Sequence, residues 1–241
     1  MAVEGGTADR LVEVLRTKQS DEELEKVRSR LGPGEPAIGM RMRDLFDVAK
    51  AHQDLPLEEV DRLLDHPEYE ARMAAMCILD FKARRRLDDE AREELYDLYL
   101  DRHDRITAWD MVDRAAPRVV GGYLVGRSVE PLHLLAGSPD PLRRRTAITA
   151  PLFFVRYGGE ADVAEGYGLA GVLAGDPDPA VNRAVGIFLK HAGATDAGRL
   201  TAFLDGHAAS MARPALRLAV EKLDPAVRDR YLASGPDGPE G

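Results

Sequence analysis

The stretch Asp178-Pro-Ala-Val-Asn-Arg-Ala-Val185 decides the fold class, because it has the pattern of a helix start and recurs along the chain. An aspartate ahead of the first turn can accept a hydrogen bond from a free backbone N–H. The proline that follows fits the first helical position, where its missing N–H is not needed. The recurrence therefore predicts a chain of repeated helices. Similar stretches begin at Pro67, Pro141 and Pro214.

Apolar residues around these starts recur at helical spacing. Leu24, Val27 and Leu31 occupy positions i, i+3 and i+7, whereas the alternating pattern of strands is scarce. Prolines and glycines interrupt the pattern often, which leaves helices of about 10 to 18 residues and no room for strand–helix–strand units. We therefore predict an all-α fold.

One arginine recurs with these repeats, at intervals of 31 to 42 residues. Two-helix repeats of roughly 30 to 47 residues are typical of HEAT-like solenoids. We predict a single curved HEAT-like domain over residues 1–232, with a helical cap at 1–35 and a disordered tail at 233–241. Equivalent positions would line one surface and form a basic stripe in a concave groove, unless these arginines form ion pairs with the next repeat. They are Arg72, Arg114, Arg145, Arg183 and Arg217.

Composition excludes several classes of protein. The chain of 241 residues carries 33 basic and 42 acidic residues, and a net charge of −9 disfavours non-specific binding to nucleic acid. Cys77 is the only cysteine and the histidines lack metal-ligand spacing, so we expect no internal disulfide and no metal site. Uncharged runs are too short to span a membrane, and the first residues lack a signal-peptide pattern. We expect a cytoplasmic protein.

The segment from Ile106 to Pro117 holds the only tryptophan of the chain. On a helix, Trp109 and Asp113 would be i and i+4 and share one face, with Asp110 beside them. A carboxylate beside an indole suits a site where positive charge develops on a sugar. The alternative is that the tryptophan fills the core and Asp110 caps the helix.

This segment, in a helical-repeat chain of this length, resembles the AlkD-type DNA alkylation-repair glycosylases. Four further stretches agree with the family in order and spacing, and the resemblance extends from about Ile38 to Leu232. They are Ile38-Gly-Met-Arg-Met-Arg-Asp-Leu45, Glu70-Ala-Arg-Met-Ala-Ala-Met-Cys-Ile-Leu79, Arg144-Arg-Thr-Ala-Ile148 and Ala184-Val-Gly-Ile-Phe-Leu-Lys190.

The resemblance implies cleavage of the N-glycosidic bond of cationic alkylpurines, N3-alkyladenine and N7-alkylguanine, without metal or cofactor. Asp113 would be the catalytic carboxylate and Trp109 would pack on the deoxyribose. Arg145 would hold the nearby backbone phosphate, with further phosphate contacts from Arg156 and Lys190. The implied partner is double-stranded DNA, so the protein would be nucleoid-associated. It would bind DNA as a monomer, without an obligate protein partner and without enclosing the base in a tight pocket. The remaining expected groove residues are Arg41, Arg43, Asp110, Arg144, Arg183 and Ile187.

Two positions depart from the family pattern. Ile187 stands where the family has a second groove tryptophan, and Leu142 stands where it has an aromatic residue ahead of the double arginine. A more open site of this kind resembles specialised relatives that give antibiotic producers self-resistance by removing bulky minor-groove adenine adducts of the yatakemycin and duocarmycin type. Two alternatives remain: a non-catalytic HEAT-like binder of damaged or branched DNA, and a HEAT-like protein-binding scaffold.

Overall fold

A computed structural model of the protein describes residues 6–233, and throughout this range it contains helices and turns but no strand. The predicted all-α, helical-repeat architecture is thereby confirmed. The chain divides into two compact units, Met1–Val119 and Val120–Gly241, each of which is described by itself. A single domain over 1–232 therefore stays a prediction. The predicted disordered tail lies, apart from residue 233, outside the described residues.

In the first unit, the helices α3, α5 and α7 pack side by side and form one layer. Helices α1 and α4 contact each other and lie against this layer, so the unit has two layers of helices. The predicted N-terminal cap corresponds to α1 and α2. The helices of this unit are α1 Ala8–Arg16, α2 Asp21–Arg28, α3 Met42–Ala51, α4 Leu57–Leu64, α5 Tyr69–Ala83, α6 Asp89–Asp101 and α7 Trp109–Ala116, with a 3-10 turn at His103–Arg105.

The second unit repeats this arrangement. Helices α10, α13 and α15 pack in sequence. Helix α12 contacts both α9 and α14, and these three helices cover the first set. A π-helical turn, Pro117–Gly121, leads from α7 into this unit. Its helices are α8 Gly122–Leu124, α9 Glu130–Ala136, α10 Pro141–Thr149, α11 Leu152–Tyr157, α12 Glu160–Val172, α13 Pro179–Thr195, α14 Ala197–His207, α15 Arg213–Ala219 and α16 Pro225–Ala233.

The core of the first unit is centred on α5, which is buried continuously from Tyr69 to Asp80. A helix that is buried on all sides must lie between other helices, and α5 contacts α3, α4 and α7. Among its polar residues, Glu70 accepts hydrogen bonds from the backbone N–H groups of Ile38 and Gly39, both at 2.8 Å. The Glu70 carboxylate thus fixes the segment that leads into α3.

A three-residue turn recurs before α5, α10 and α13. In each case the side chain of the first residue accepts the backbone N–H of the third: His66 from Glu68, Ser138 from Asp140, and Asp176 from Asp178. Asp140 and Asp178 then cap their helices, and proline follows at the first helical position. The predicted Asp-Pro helix start is therefore confirmed at Asp178-Pro179. The similar pairs Ser138-Pro139 and Asp176-Pro177 do not start helices but lie in the turns before α10 and α13.

These turns correct the alignment of the repeated arginines. Arg72 donates to the carbonyl oxygens of His66 and Pro67, which are six and five residues before it. Arg144 donates in the same way to Ser138 and Pro139. The structural equivalent of Arg72 is thus Arg144, and the predicted equivalence with Arg145 is shifted by one residue. The sequence match misled because three arginines stand in a row from 143 to 145.

Candidate active site

Helix α7 presents the candidate catalytic residues on the face opposite its buried side. Met111, Val112 and Ala115 are buried in the first unit, which fixes the rotation of the helix. Trp109, at the first position of α7, is 45% exposed and Asp113 is half-buried. Because residues four apart lie one above the other on a helix, the indole and the carboxylate share one face. The alternative that Trp109 fills the core is wrong.

Asp110 is held by a buried tyrosine. Its Oδ2 accepts a hydrogen bond of 2.6 Å from the Tyr69 hydroxyl, and the Arg30 guanidinium lies 3.8 Å away. Burial, followed by the negative charge of Asp110, raises the pKa of Tyr69 far above its usual value. Asp110 forms no side-chain cap of α7, so the alternative that it caps this helix is wrong. This contact instead links the start of α7 to α5.

The α7 face can support chemistry on a sugar cation. A half-buried carboxylate can stabilise positive charge more strongly than one in bulk water, and an exposed indole offers a flat surface for a deoxyribose. Among the described residues, no group of three or more histidine, cysteine or acidic side chains is arranged to hold a metal ion. The roles of Trp109 and Asp113 stay predictions.

Two predicted phosphate-binding arginines of the second unit have internal partners. Arg145 is only 1% exposed and donates to the backbone carbonyl of Ala180. Arg144 forms two hydrogen bonds with the Asp176 carboxylate, at 2.6 and 3.1 Å, and these raise the pKa of its guanidinium. Both contacts connect α10 with the start of α13. Phosphate binding by Arg144 and Arg145 stays a prediction, and the internal contacts favour a structural role.

The other predicted groove residues are more accessible, with the exception of Lys190. That side chain is three-quarters buried and pairs with Glu221 at 2.7 Å. The Arg156 guanidinium lies 5.2 Å from the ring centre of Tyr157. Ile187 and Leu142 are half-buried, and the DNA-binding role of all these positions stays a prediction. The exposed arginines are Arg41, Arg43, Arg156 and Arg183.

Sequence reasoning placed Arg114 in a basic stripe but missed the charged cluster next to α7 to which it belongs. We call it the Asp80 cluster: Asp80, Arg84, Arg114 and Arg118. Asp80 is 2% exposed, and the three guanidinium groups surround its carboxylate. The sequence did contain a signal for each helix, because Arg84 follows Asp80 by four residues and Arg118 follows Arg114 by four residues. Residues at this spacing share one face of a helix. What the sequence did not reveal is that α5 and α7 are neighbours, which brings the two pairs together.

Comparisons with known proteins were made for the sequence and for the fold. The sequence model of a family described as DNA alkylation repair enzyme matches residues 11–223. A solved structure described as a predicted DNA alkylation repair enzyme from Enterococcus faecalis superposes with a TM-score of 0.63. It is 13% identical in sequence, and the superposition covers 86% of this chain and 98% of that one. No curated protein sequence matches the chain.

Proposed function

Because the chain belongs to the DNA alkylation repair enzyme family, we propose that it is a monofunctional DNA glycosylase for cationic alkylpurines. The observation that carries the proposal is the pairing of exposed Trp109 with half-buried Asp113 on one face of α7. The proposed substrate is double-stranded DNA with N3-alkyladenine or N7-alkylguanine. The protein would act as a monomer, without a metal or cofactor and without an obligate protein partner.

The proposed reaction is hydrolysis of the bond between C1′ of the deoxyribose and the purine nitrogen. Alkylation gives the base a positive charge, so the bond electrons neutralise the base as it departs and little protonation is needed. Asp113 would stabilise the oxocarbenium-like sugar and orient the water that attacks C1′. The water proton passes to the carboxylate and then to solvent, and Trp109 would pack against the sugar. The products are a neutral alkylpurine and an abasic site.

Within this class, we propose bulky minor-groove N3-adenine adducts as the preferred substrates. The support is that Ile187 and Leu142 replace two aromatic residues of the family pattern, and smaller side chains leave more room for an adduct. Ordinary methylpurines are the second substrate group. Replacing Ile187 with Trp should then slow excision of a bulky adduct, and unchanged excision would remove the reason for this preference.

The proposal is tested by single-turnover base release from duplexes that carry N7-methylguanine or a bulky N3-adenine adduct. Asp113→Asn should slow release by a factor of about 100 or more, because the transition state loses its counter-charge. Glu13→Gln, which neutralises an exposed carboxylate of α1, is the matched control and should retain the wild-type rate. Release by the wild type that is equally fast in Asp113→Asn would contradict the assigned role of Asp113.

The alternative function is non-catalytic binding of damaged or branched DNA. It predicts duplex binding without release of either base by the wild-type protein. The retained Trp109 and Asp113 favour the glycosylase, since a pure binder would not require this pair. No helix within residues 6–233 has the length and apolar character needed to cross a membrane. The cytoplasmic, nucleoid-associated location stays a prediction.

A further inference from the structure

We propose that the Asp80 cluster is a binding site for a backbone phosphate of DNA, with Arg84, Arg114 and Arg118 as its ligands. None of the phosphate contacts implied by the family resemblance lies at this cluster. The inference rests on the proposed function for the nature of the ligand. The geometry of the cluster itself, which lies entirely within the first unit, is the starting observation.

Three arginines converge on a single carboxylate. Arg84 donates through Nε and Nη2 to Oδ2 of Asp80, at 3.0 and 2.8 Å. Arg114 Nη2 lies 2.9 Å from the same oxygen, and Arg118 Nε lies 3.4 Å from Oδ1. One carboxylate therefore serves three cations. Each guanidinium has five N–H donors and uses only one or two of them in these contacts and in the hydrogen bond of Arg114 to the Cys77 sulfur.

The cluster has more positive charge than is needed to neutralise the Asp80 carboxylate. One arginine would balance the charge of Asp80, so the other two leave an excess of two positive charges in a small volume. Placing like charges together is unfavourable unless an anion completes the group. The excess is notable in this unit, whose residues 1–119 include 20 basic and 28 acidic side chains. A phosphate diester has the charge and the acceptor oxygens that the free donors require.

Two aromatic rings hold the central arginine in place. The Arg114 guanidinium carbon lies 4.6 Å from the ring centre of Phe46 on α3 and 4.8 Å from that of Phe81 on α5. Arg84 lies 5.4 Å from the same Phe81 ring. Such stacking fixes the guanidinium planes before any ligand arrives, which lowers the entropy that binding would otherwise lose. Arg84 and Arg114 are thus preorganised rather than free to move in solvent.

The cluster also has open faces toward solvent. The side chains of Arg84 and Arg118 are 45% and 30% exposed, while Arg114 is 18% exposed. Arg114 directly follows Asp113 in α7, so the same helix carries the candidate catalytic carboxylate and the central arginine. A phosphate here would position a DNA strand along α7.

The test measures the affinity of the full-length protein for an undamaged duplex over a range of salt concentrations. The variant Arg84→Gln/Arg118→Gln leaves Arg114 to neutralise Asp80. If the cluster holds one phosphate, the slope of log K against log salt should become less steep by about 0.9. Affinity at low salt should also fall at least several-fold, and equally for every sequence.

A matched control separates this site from the loss of net charge. Arg10→Gln/Arg62→Gln removes the same charge from two exposed arginines of the first unit, each paired with one glutamate. The control should retain the wild-type slope. Thermal unfolding shows whether the cluster variant is folded. Should it be unfolded, Arg118→Gln alone provides the same test, because its contact with Asp80 is the longest of the cluster.

The outcomes of this inference and of the proposed function can be told apart. A reduced slope in the cluster variant alone supports the phosphate site, even if the wild type releases no base and the glycosylase proposal fails. An unchanged slope, or a slope reduced equally in the control, overturns the phosphate site, even if base release is observed. Absence of duplex binding by the wild type at low salt also overturns it.

Discussion

At the scale of single residues, the environment of each arginine decides its role. Arg72 is buried, donates to two backbone carbonyls and forms an ion pair with Glu35. Burial lowers its pKa, yet its acceptors keep the guanidinium satisfied. Arg114, by contrast, shares its anion with two other arginines. Sequence repetition marks both positions equally, and only the set of acceptors around each one distinguishes a structural arginine from a candidate ligand.

The contact between Tyr69 and Asp110 should contribute measurably to stability. Tyr69→Phe leaves Oδ2 of Asp110, which is mostly buried, without its hydrogen-bond donor. We expect a loss of about 2 kcal/mol in the free energy of unfolding, measured by urea denaturation. Tyr167→Phe is the control, since the buried Tyr167 hydroxyl has no hydrogen-bond partner among the described residues. Equal losses in the two variants would show that the Tyr69 hydrogen bond contributes nothing specific.

Glycine is required at position 39 because of both its backbone conformation and its neighbours. Gly39 has φ +84°, and a Cβ there would lie 2.4 Å from the Cα of Leu24. Gly39→Ala should therefore lower the free energy of unfolding by about 3 kcal/mol or more. Gly34 has a similar φ of +80° but open space around it, so Gly34→Ala should lose only about 1 kcal/mol. Denaturant titration of both variants separates backbone strain from steric overlap, and similar losses would argue against the overlap.

At the scale of structural elements, the recurring turn before α5, α10 and α13 sets the start of each helix. The accepting side chain is a histidine, a serine or an aspartate, whereas the donor is always the backbone N–H two residues later in the chain. The motif therefore needs an acceptor rather than one residue type. It explains why the repeats are difficult to align from sequence although their geometry is shared.

The histidine version of this turn should make stability depend on pH. Burial is the main cause that lowers the pKa of His66, with the charge of Glu68 opposing it. Because the pKa of His66 is lower in the folded state, the unfolded chain binds more protons than the folded chain as the pH falls. The contribution of neutral His66 to the free energy of unfolding is therefore complete above about pH 6.5 and is lost as the pH falls through the folded-state pKa. Protonated Nδ1 also can no longer accept the Glu68 N–H. His66→Asn retains an acceptor at every pH.

We therefore expect the wild type to lose more unfolding free energy than His66→Asn between pH 7 and pH 5. Urea denaturation of both proteins at a series of pH values measures the difference, and the other titrating groups cancel in it. Identical pH profiles would mean that His66 is not linked to folding. The variant Ser138→Asn, in the equivalent turn before α10, should leave the pH profile of the wild type unchanged.

At the scale of the whole molecule, charge is unevenly distributed along the chain. Residues 1–119 carry a net charge of −8, whereas residues 120–241 carry 13 basic and 14 acidic side chains. The candidate catalytic helix and the Asp80 cluster both belong to the more acidic unit. A duplex would therefore be attracted by local groups of arginines against an unfavourable average field, which makes its affinity sensitive to salt.

The surface of the described residues favours a monomer. Only four large hydrophobic side chains there are exposed, namely Trp109, Leu134, Tyr157 and Val172, and each lies on a different helix. A stable homodimer needs roughly 800 Å² of buried surface on each partner, with an apolar centre. Analytical ultracentrifugation should therefore give a mass near 26.4 kDa at all concentrations tested. A concentration-dependent rise toward twice this mass would contradict the expectation.

The amino-acid sequence by itself determined the class of the fold and the candidate catalytic pair. Helical periodicity and proline-containing helix starts are local properties, so they can be recognised in the sequence without knowledge of tertiary contacts. The spacing of Trp109 and Asp113 likewise depends only on the geometry of one helix. For the same reason, the apolar residues Met111, Val112 and Ala115 predict that Trp109 and Asp113 lie away from the buried side of this helix.

Only the tertiary structure decided what the arginines contact. The burial of Arg145 depends on which helices are neighbours. So do the match between Arg144 and Arg72 and the grouping of three arginines around Asp80. Such contacts join residues that are tens of positions apart, and the sequence alone does not encode their distances in any local pattern. Side-chain burial and partner choice are collective results of packing, because each guanidinium binds the acceptors that the assembled helices bring within reach.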